Sequence, residues 1–101
     1  MKSDDWKFLG SHNIGVAGAS FTLPSDWKEV AITLKPNDTV GGMALGTHLK
    51  SAIVNSAITQ ARFGTYNYGI VYNISNDGNT FTYANYFSAS MASTKIDVYY
   101  K

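Results

Sequence analysis

Hydrophobic and polar residues alternate along this chain in short runs, and turn-forming residues separate the runs. Side chains of an extended strand point to opposite faces in turn, so alternation with period two predicts half-buried β-strands. Trp6, Phe8 and Gly10 alternate with Lys7 and Leu9, and Ser11-His12-Asn13 is expected to break that run. Ala19, Phe21 and Leu23 alternate with Ser20 and Thr22 before Pro24-Ser25-Asp26 ends the strand. The clearest run sets Val30, Ile32 and Leu34 against Glu29, Ala31, Thr33 and Lys35. Pro36-Asn37-Asp38 then predicts a turn, because proline fixes φ and Asx side chains bond the local backbone.

The middle of the chain is mixed. Met43 to Leu49 reads as a strand, preceded by Gly41-Gly42 and containing Gly46. Over Lys50 to Ala61 a short helix competes with a strand. Ala52, Ile53, Ala57 and Ala61 approximate helical spacing, while β-branched Ile53, Val54, Ile58 and Thr59 favour extension. A further strand is expected over Ile58 to Thr65, with a bulge or bend at Gly64. Ile70, Tyr72 and Ile74 then alternate with Val71 and Asn73, and Asn76-Asp77-Gly78-Asn79 predicts a hairpin turn. Phe81 and Tyr83 open the returning strand, which is expected to reach towards Phe87, and Ser88-Ala89-Ser90 loosens the chain. Ile96, Val98 and Tyr100 close the sequence against Lys95, Asp97, Tyr99 and Lys101. The expectation is an all-β, antiparallel β-sandwich of jelly-roll-like type, with seven to eight strands, spanning residues 1–101 as one domain.

Composition agrees with strands. Ser, Thr, Asn and Tyr are abundant, charged residues are 15%, and helix-favouring Glu and Arg occur once each, as Glu29 and Arg62. A hydrophobic content of 45% is too high for a disordered chain. A chain of 101 residues buries only about two-thirds of its unfolded surface, and without cysteine it has no disulfide to compensate. Packing into an oligomer is therefore the expected aid to stability. A net charge of +1 offers no steering field for nucleic acid or anionic lipid. The apolar runs are too short for a membrane span, and Met1-Lys2-Ser3-Asp4-Asp5 lacks the apolar stretch of a secretory leader. Strand pattern begins near the first residue and reaches the last, so the expectation is a compact head, either by itself or as the terminal module of something longer.

The same residues offer little chemistry. His12 and His48 lie in no nucleophile motif, and each reads as a loop or strand-surface residue. Asp4, Asp5, Asp26, Glu29, Asp38, Asp77 and Asp97 sit beside turns or on polar faces rather than as a catalytic pair. Asn76-Asp77-Gly78-Asn79 lacks the remaining ligands of a calcium loop, and two histidines without cysteine make no zinc pattern. No cofactor, metal or enzymatic activity is expected. What remains is surface recognition. Tyr66, Asn67, Tyr68, Tyr83, Asn85 and Tyr86 combine rings that can stack on a sugar with amides that can bond its hydroxyls. The plainer alternative is that each tyrosine rims the core with a wet hydroxyl.

Trp6-Lys7-Phe8-Leu9-Gly10 is followed by Phe21-Thr22-Leu23-Pro24-Ser25-Asp26-Trp27-Lys28-Glu29 and by Val30-Ala31-Ile32. With Thr47-His48-Leu49, a Tyr-rich hairpin and the closing Ile96-Asp97-Val98-Tyr99-Tyr100-Lys101, this order resembles small C-terminal head domains of tail and fibre proteins from phages of Gram-positive bacteria. The resemblance implies a non-catalytic, commonly trimeric β-sandwich on the virion surface that binds host-surface carbohydrate. A decoration or assembly role among other virion proteins, or a free-standing carbohydrate-binding module, are the alternatives. It carries over no catalytic residue and no individual sugar contact. The sequence departs from the pattern in showing no shaft before the head, so the expectation is either an excised head or a short accessory protein that attaches to something else.

Overall fold

Each alternating run has one apolar face to bury, and two sheets laid face to face bury all of them at once. The structure, a computed structural model, describes residues 6–13, 19–34, 43–64, 69–86 and 95–101. Among these residues the strands are β1 (Lys7–Asn13), β2 (Ser20–Thr22), β3 (Glu29–Leu34), β4 (Met43–Leu49), β5 (Gln60–Gly64), β6 (Gly69–Ile74), β7 (Thr80–Tyr86) and β8 (Lys95–Tyr100). One helix, α1 (Lys50–Asn55), stands between β4 and β5. The first sheet runs β1-β8-β3-β4 and the second β2-β7-β6-β5, with antiparallel pairing throughout. This is the all-β antiparallel sandwich that the alternation predicts. β1 lies beside β8 and β2 beside β7, the nested wrapping of a jelly roll. The inner strands pair with their sequence neighbours, β3 with β4 and β5-β6-β7 in series.

The core lies between the sheets, where Val30, Ile32, Leu34, Ile70, Tyr72 and Phe81 are buried. Along β3 every second residue is buried and the others are half exposed, as the sequence pattern requires. Rings dominate the second sheet's inner face. Phe21 and Phe81 stack with centroids 5.0 Å apart, Trp27 meets Phe81 edge-on at 5.9 Å, and Phe63 meets Tyr72 at 5.8 Å. Burying each such side chain contributes about 1.5–3 kcal/mol.

Three local features differ from the sequence expectation or refine it. β1 does not break at Ser11 but runs on through Asn13, with a bulge between Phe8 and Gly10. The bulge shifts the alternation by one residue. Leu9 therefore packs against the core, while Phe8, read as a core-phase residue, is 58% exposed. Between β4 and β5 the helical alternative wins, and Ile53 is its one buried residue. Ile58 N–H donates to Ile53 C=O (3.0 Å) and Ala57 N–H to Val54 C=O (3.2 Å), a Schellman closure. Ala57 occupies the left-handed position, φ 51°, where glycine is the usual residue.

The Asp77-Gly78 turn forms as expected. Gly78 adopts φ +78°, and a Cβ there would meet Val54 Cγ2 at 3.2 Å. The Asp77 carboxylate accepts from Ser75 Oγ (2.6 Å) and Asn79 N–H (2.9 Å), and these bonds hold it below the usual carboxylate value. The turns expected at Pro36-Asn37-Asp38 and Ser88-Ala89-Ser90 lie outside the described residues.

Candidate functional site

Cross-strand neighbours share a face, so the registers place the outward side chains of the first sheet in rows. Phe8 opposes Tyr99, Tyr99 opposes Ala31, and Ala31 opposes Thr47. The Phe8 and Tyr99 rings stand 5.4 Å apart at a 58° tilt. One row nearer the edge, Lys101 and Glu29 exchange backbone bonds (2.8 and 3.0 Å), and Glu29 opposes Leu49, which is 50% exposed. Lys101 Nζ lies 3.6 Å from Glu29 Oε1 and 4.8 Å above the Trp6 ring. In the next row inward Ser11 Oγ donates to Asp97. Trp6, Phe8 and Tyr99 thus gather on one outer face, beside hydroxyl, carboxylate and ammonium groups.

That face runs into two clefts at the end of the sandwich where β1 and β3 begin and β4 and β8 finish. One, of about 500 Å³, is lined by Lys7, Asp26, Trp27, Lys28, Glu29 and Tyr100, among others. The other, of about 470 Å³, lies between Trp27, Lys28, Leu49, Lys50 and Val54. Backbone bonds fix their shared wall. Trp27 N–H donates to Pro24 C=O (3.0 Å), Lys28 N–H to Lys101 C=O (2.6 Å), and Lys50 N–H to Lys28 C=O (2.9 Å). Trp27 is buried, and its indole N–H donates to Asn79 Oδ1 at 3.1 Å, so it forms the floor rather than an exposed platform. Lys50 Nζ donates to Ser25 C=O and lies 5.9 Å from the Trp27 ring centroid, while Lys7 Nζ lies 5.7 Å from that of Tyr100.

The second sheet's outer face is different in kind. Ser20 opposes Thr82, Thr82 opposes Asn73, and Asn73 opposes Gln60. Gln60 Nε2 donates to Asn73 Oδ1 at 2.9 Å, and the Thr22 and Thr80 hydroxyls bond at 3.0 Å. Of the tyrosine and asparagine residues singled out in the sequence, Tyr83 is half buried and packs against the core. Asn85 is exposed and opposes Val71, and both residues have interaction partners. A bulge in the β6–β7 pairing separates them. Tyr66, Asn67 and Tyr68 lie outside the described residues, as does the side chain of Tyr86, and Tyr83 and Asn85 are not side by side on one face.

Both histidines are half-buried strand residues, as the strand-surface reading expects, and each is bound to neighbouring groups. His48 Nε2–H donates to Arg62 C=O (2.6 Å), tying β4 to β5, and its ring meets Phe63 edge-on at 4.7 Å. His12 Nδ1 lies 3.1 Å from Asn13 C=O, which can only accept, so Nδ1 carries the proton. Its Nε2 hydrogen-bonds the Tyr72 hydroxyl at 3.0 Å. Burial first, and then Tyr83, push the Tyr72 hydroxyl well above the ordinary tyrosine value, so it stays a donor. Among the described residues no three His, Asp or Glu side chains group to hold a metal, and no helix is long and apolar enough to cross a membrane. No family model, no curated protein and no solved structure matches the chain.

Proposed function

We propose that this domain is a non-catalytic recognition domain that binds host-surface carbohydrate through the outer face of its first sheet, as a trimeric head on a virion fibre, tail tip or head fibre. One observation carries the reading: Phe8, 58% exposed, stands 5.4 Å from Tyr99 on a sheet face flanked by Ser11, Asp97 and Lys101. An aromatic ring packs against the apolar C–H face of a sugar, and adjacent hydroxyl, carboxylate and ammonium groups bond its hydroxyls. Rigid strands hold these groups, so little ordering entropy opposes binding. The virion setting is supported by the resemblance carried by Leu23-Pro24-Ser25-Asp26 and Val98-Tyr99-Tyr100-Lys101. An array of bacterial-surface glycans tests the reading with wild type and Phe8→Ala. Binding by wild type that Phe8→Ala abolishes supports it; no glycan bound by wild type contradicts it.

The same exposed ring favours a second reading, a structural decoration or assembly protein whose aromatic face is a subunit contact. Sizing by light scattering separates the two. Under the structural reading Phe8→Ala dissociates the oligomer, whereas under the recognition reading it loses cell binding with the oligomer intact.

A further inference from the structure

Four of the chain's eight Lys and Arg residues, Lys7, Lys28, Lys50 and Lys101, line the two clefts, against the carboxylates of Asp26 and Glu29. Counting side chains alone, four ammoniums stand against two carboxylates in the linings of these clefts, on a chain whose whole side-chain net charge is +1. Three of these lysines are held in place. Lys50 is bonded to Ser25 C=O and lies near the Trp27 ring, Lys101 is paired with Glu29 and lies over Trp6, and Lys7 lies near Tyr100. An ammonium has three hydrogens, so each keeps donors for a further acceptor. The cleft between Lys28 and Lys50 has no side-chain carboxylate in its lining, and Trp27, Leu49 and Val54 line it together with the polar Ser51 and Asn55.

We infer that these clefts take the anionic group of an acidic glycan. This deepens, and rests on, the carbohydrate reading above. The anionic oxygens sit between Lys28 and Lys50, and the apolar sugar face lies against Leu49 and Val54. Lys28 is central because it lines both clefts and its backbone is fixed on both sides, by Lys101 and by Lys50. A carboxylate and a sulfate ester satisfy the same donors, so the chemistry named is the anionic oxygen itself.

Titration calorimetry with polygalacturonate, dextran sulfate and neutral dextran tests this on wild type, Lys28→Gln, Lys28→Glu and Lys95→Gln. Lys95 starts β8 at the opposite end of the sheet and serves as the control for diffuse charge. Wild type is expected to bind at least one polyanion more tightly than dextran. Polygalacturonate alone identifies a carboxylate ligand, and dextran sulfate alone a sulfate. Lys28→Gln is expected to weaken that binding about tenfold and Lys28→Glu further, with less than about a twofold change for Lys95→Gln. Equal losses for Lys28→Gln and Lys95→Gln, or no preference over dextran, would overturn the inference. Such a result alongside glycan binding that still depends on Phe8 removes only the charge assignment. Loss of all Phe8-dependent glycan binding removes the parent reading instead.

Discussion

On the outside of the first sheet Phe8, Tyr99 and Leu49 meet water, whereas the corresponding rows of the second sheet hold Ser20, Thr82, Asn73 and Gln60. Both sheets face the same core, and their inner sides answer to the same demand for buried, interlocking apolar side chains. Their outer sides answer to different demands. The second sheet's outer face pairs its own polar groups, Gln60 with Asn73 and Thr22 with Thr80, and is at ease in water. The first sheet keeps the Phe8 ring exposed, with Trp6 and Tyr99 half buried on the same face, where polar residues would be free of cost. A single exposed hydrophobe means little; here Trp6, Phe8 and Tyr99 share one face, continuous with two lysine-lined clefts, and the proposed recognition rests on that grouping.

The largest effect lies in the core that both faces share. Phe81, fully buried and in ring contact with Phe21, Trp27, Phe63 and Tyr72, supports both sheets. Phe81→Ala is expected to cost about 3–5 kcal/mol in urea unfolding and to remove the distinction between the faces by unfolding both. A loss below about 1 kcal/mol would mean the sheets do not depend on a common centre.

Alkaline pH probes the link between the sheets. The folded state keeps the Tyr72 proton that the unfolded chain releases near pH 10, so folding binds a proton above that value. Stability is fully present below pH 10 and falls above it, by about 1.4 kcal/mol per pH unit from this group. Tyr72→Phe is expected to cost about 1 kcal/mol at neutral pH, through the lost bond to His12, and to flatten the alkaline fall. Equal alkaline slopes for the two proteins would contradict the burial of that hydroxyl.

These two core positions were legible in the sequence, because alternation alone sets Tyr72 and Phe81 in phase with their buried neighbours. The outer aromatic face was not. Alternation states which side of a strand a residue occupies but not where a bulge reverses it, and the bulge after Phe8 turned an apparent core residue outward. Nor does it reveal which strands become neighbours, so Phe8 and Tyr99, far apart in the chain, gave no sign of meeting. The helix at Lys50 was ambiguous for a related reason. Its Schellman closure uses Ala57 rather than the glycine that would have announced a C-terminus. The lysine clefts were invisible to a net charge of +1, because four contributing residues come from separate parts of the chain.

Ala57→Gly is the next test in size, and it acts on the end where the aromatic face meets the clefts. Relieving the left-handed alanine is expected to stabilise the protein by about 0.5–1 kcal/mol, read as a higher urea midpoint. A lower midpoint would argue against that closure. Stability at the two outer faces should separate by a comparable amount. Phe8→Ala is expected to cost about 0.5–1.5 kcal/mol through the lost contact with Tyr99, and Thr82→Ala to stay within about 0.5 kcal/mol. The smallest effect is at the hairpin turn, where an NMR titration should place the Asp77 carboxyl midpoint below 3.8.

The most direct test of the aromatic face as the recognition surface is an amide NMR titration with a glycan that the wild-type domain binds on an array. The account predicts shifts concentrated at Phe8, Ser11, Asp97 and Tyr99 on the first sheet, with Ser20, Asn73 and Thr82 unmoved. Shifts centred on the second sheet, with Phe8 and Tyr99 silent, would contradict it.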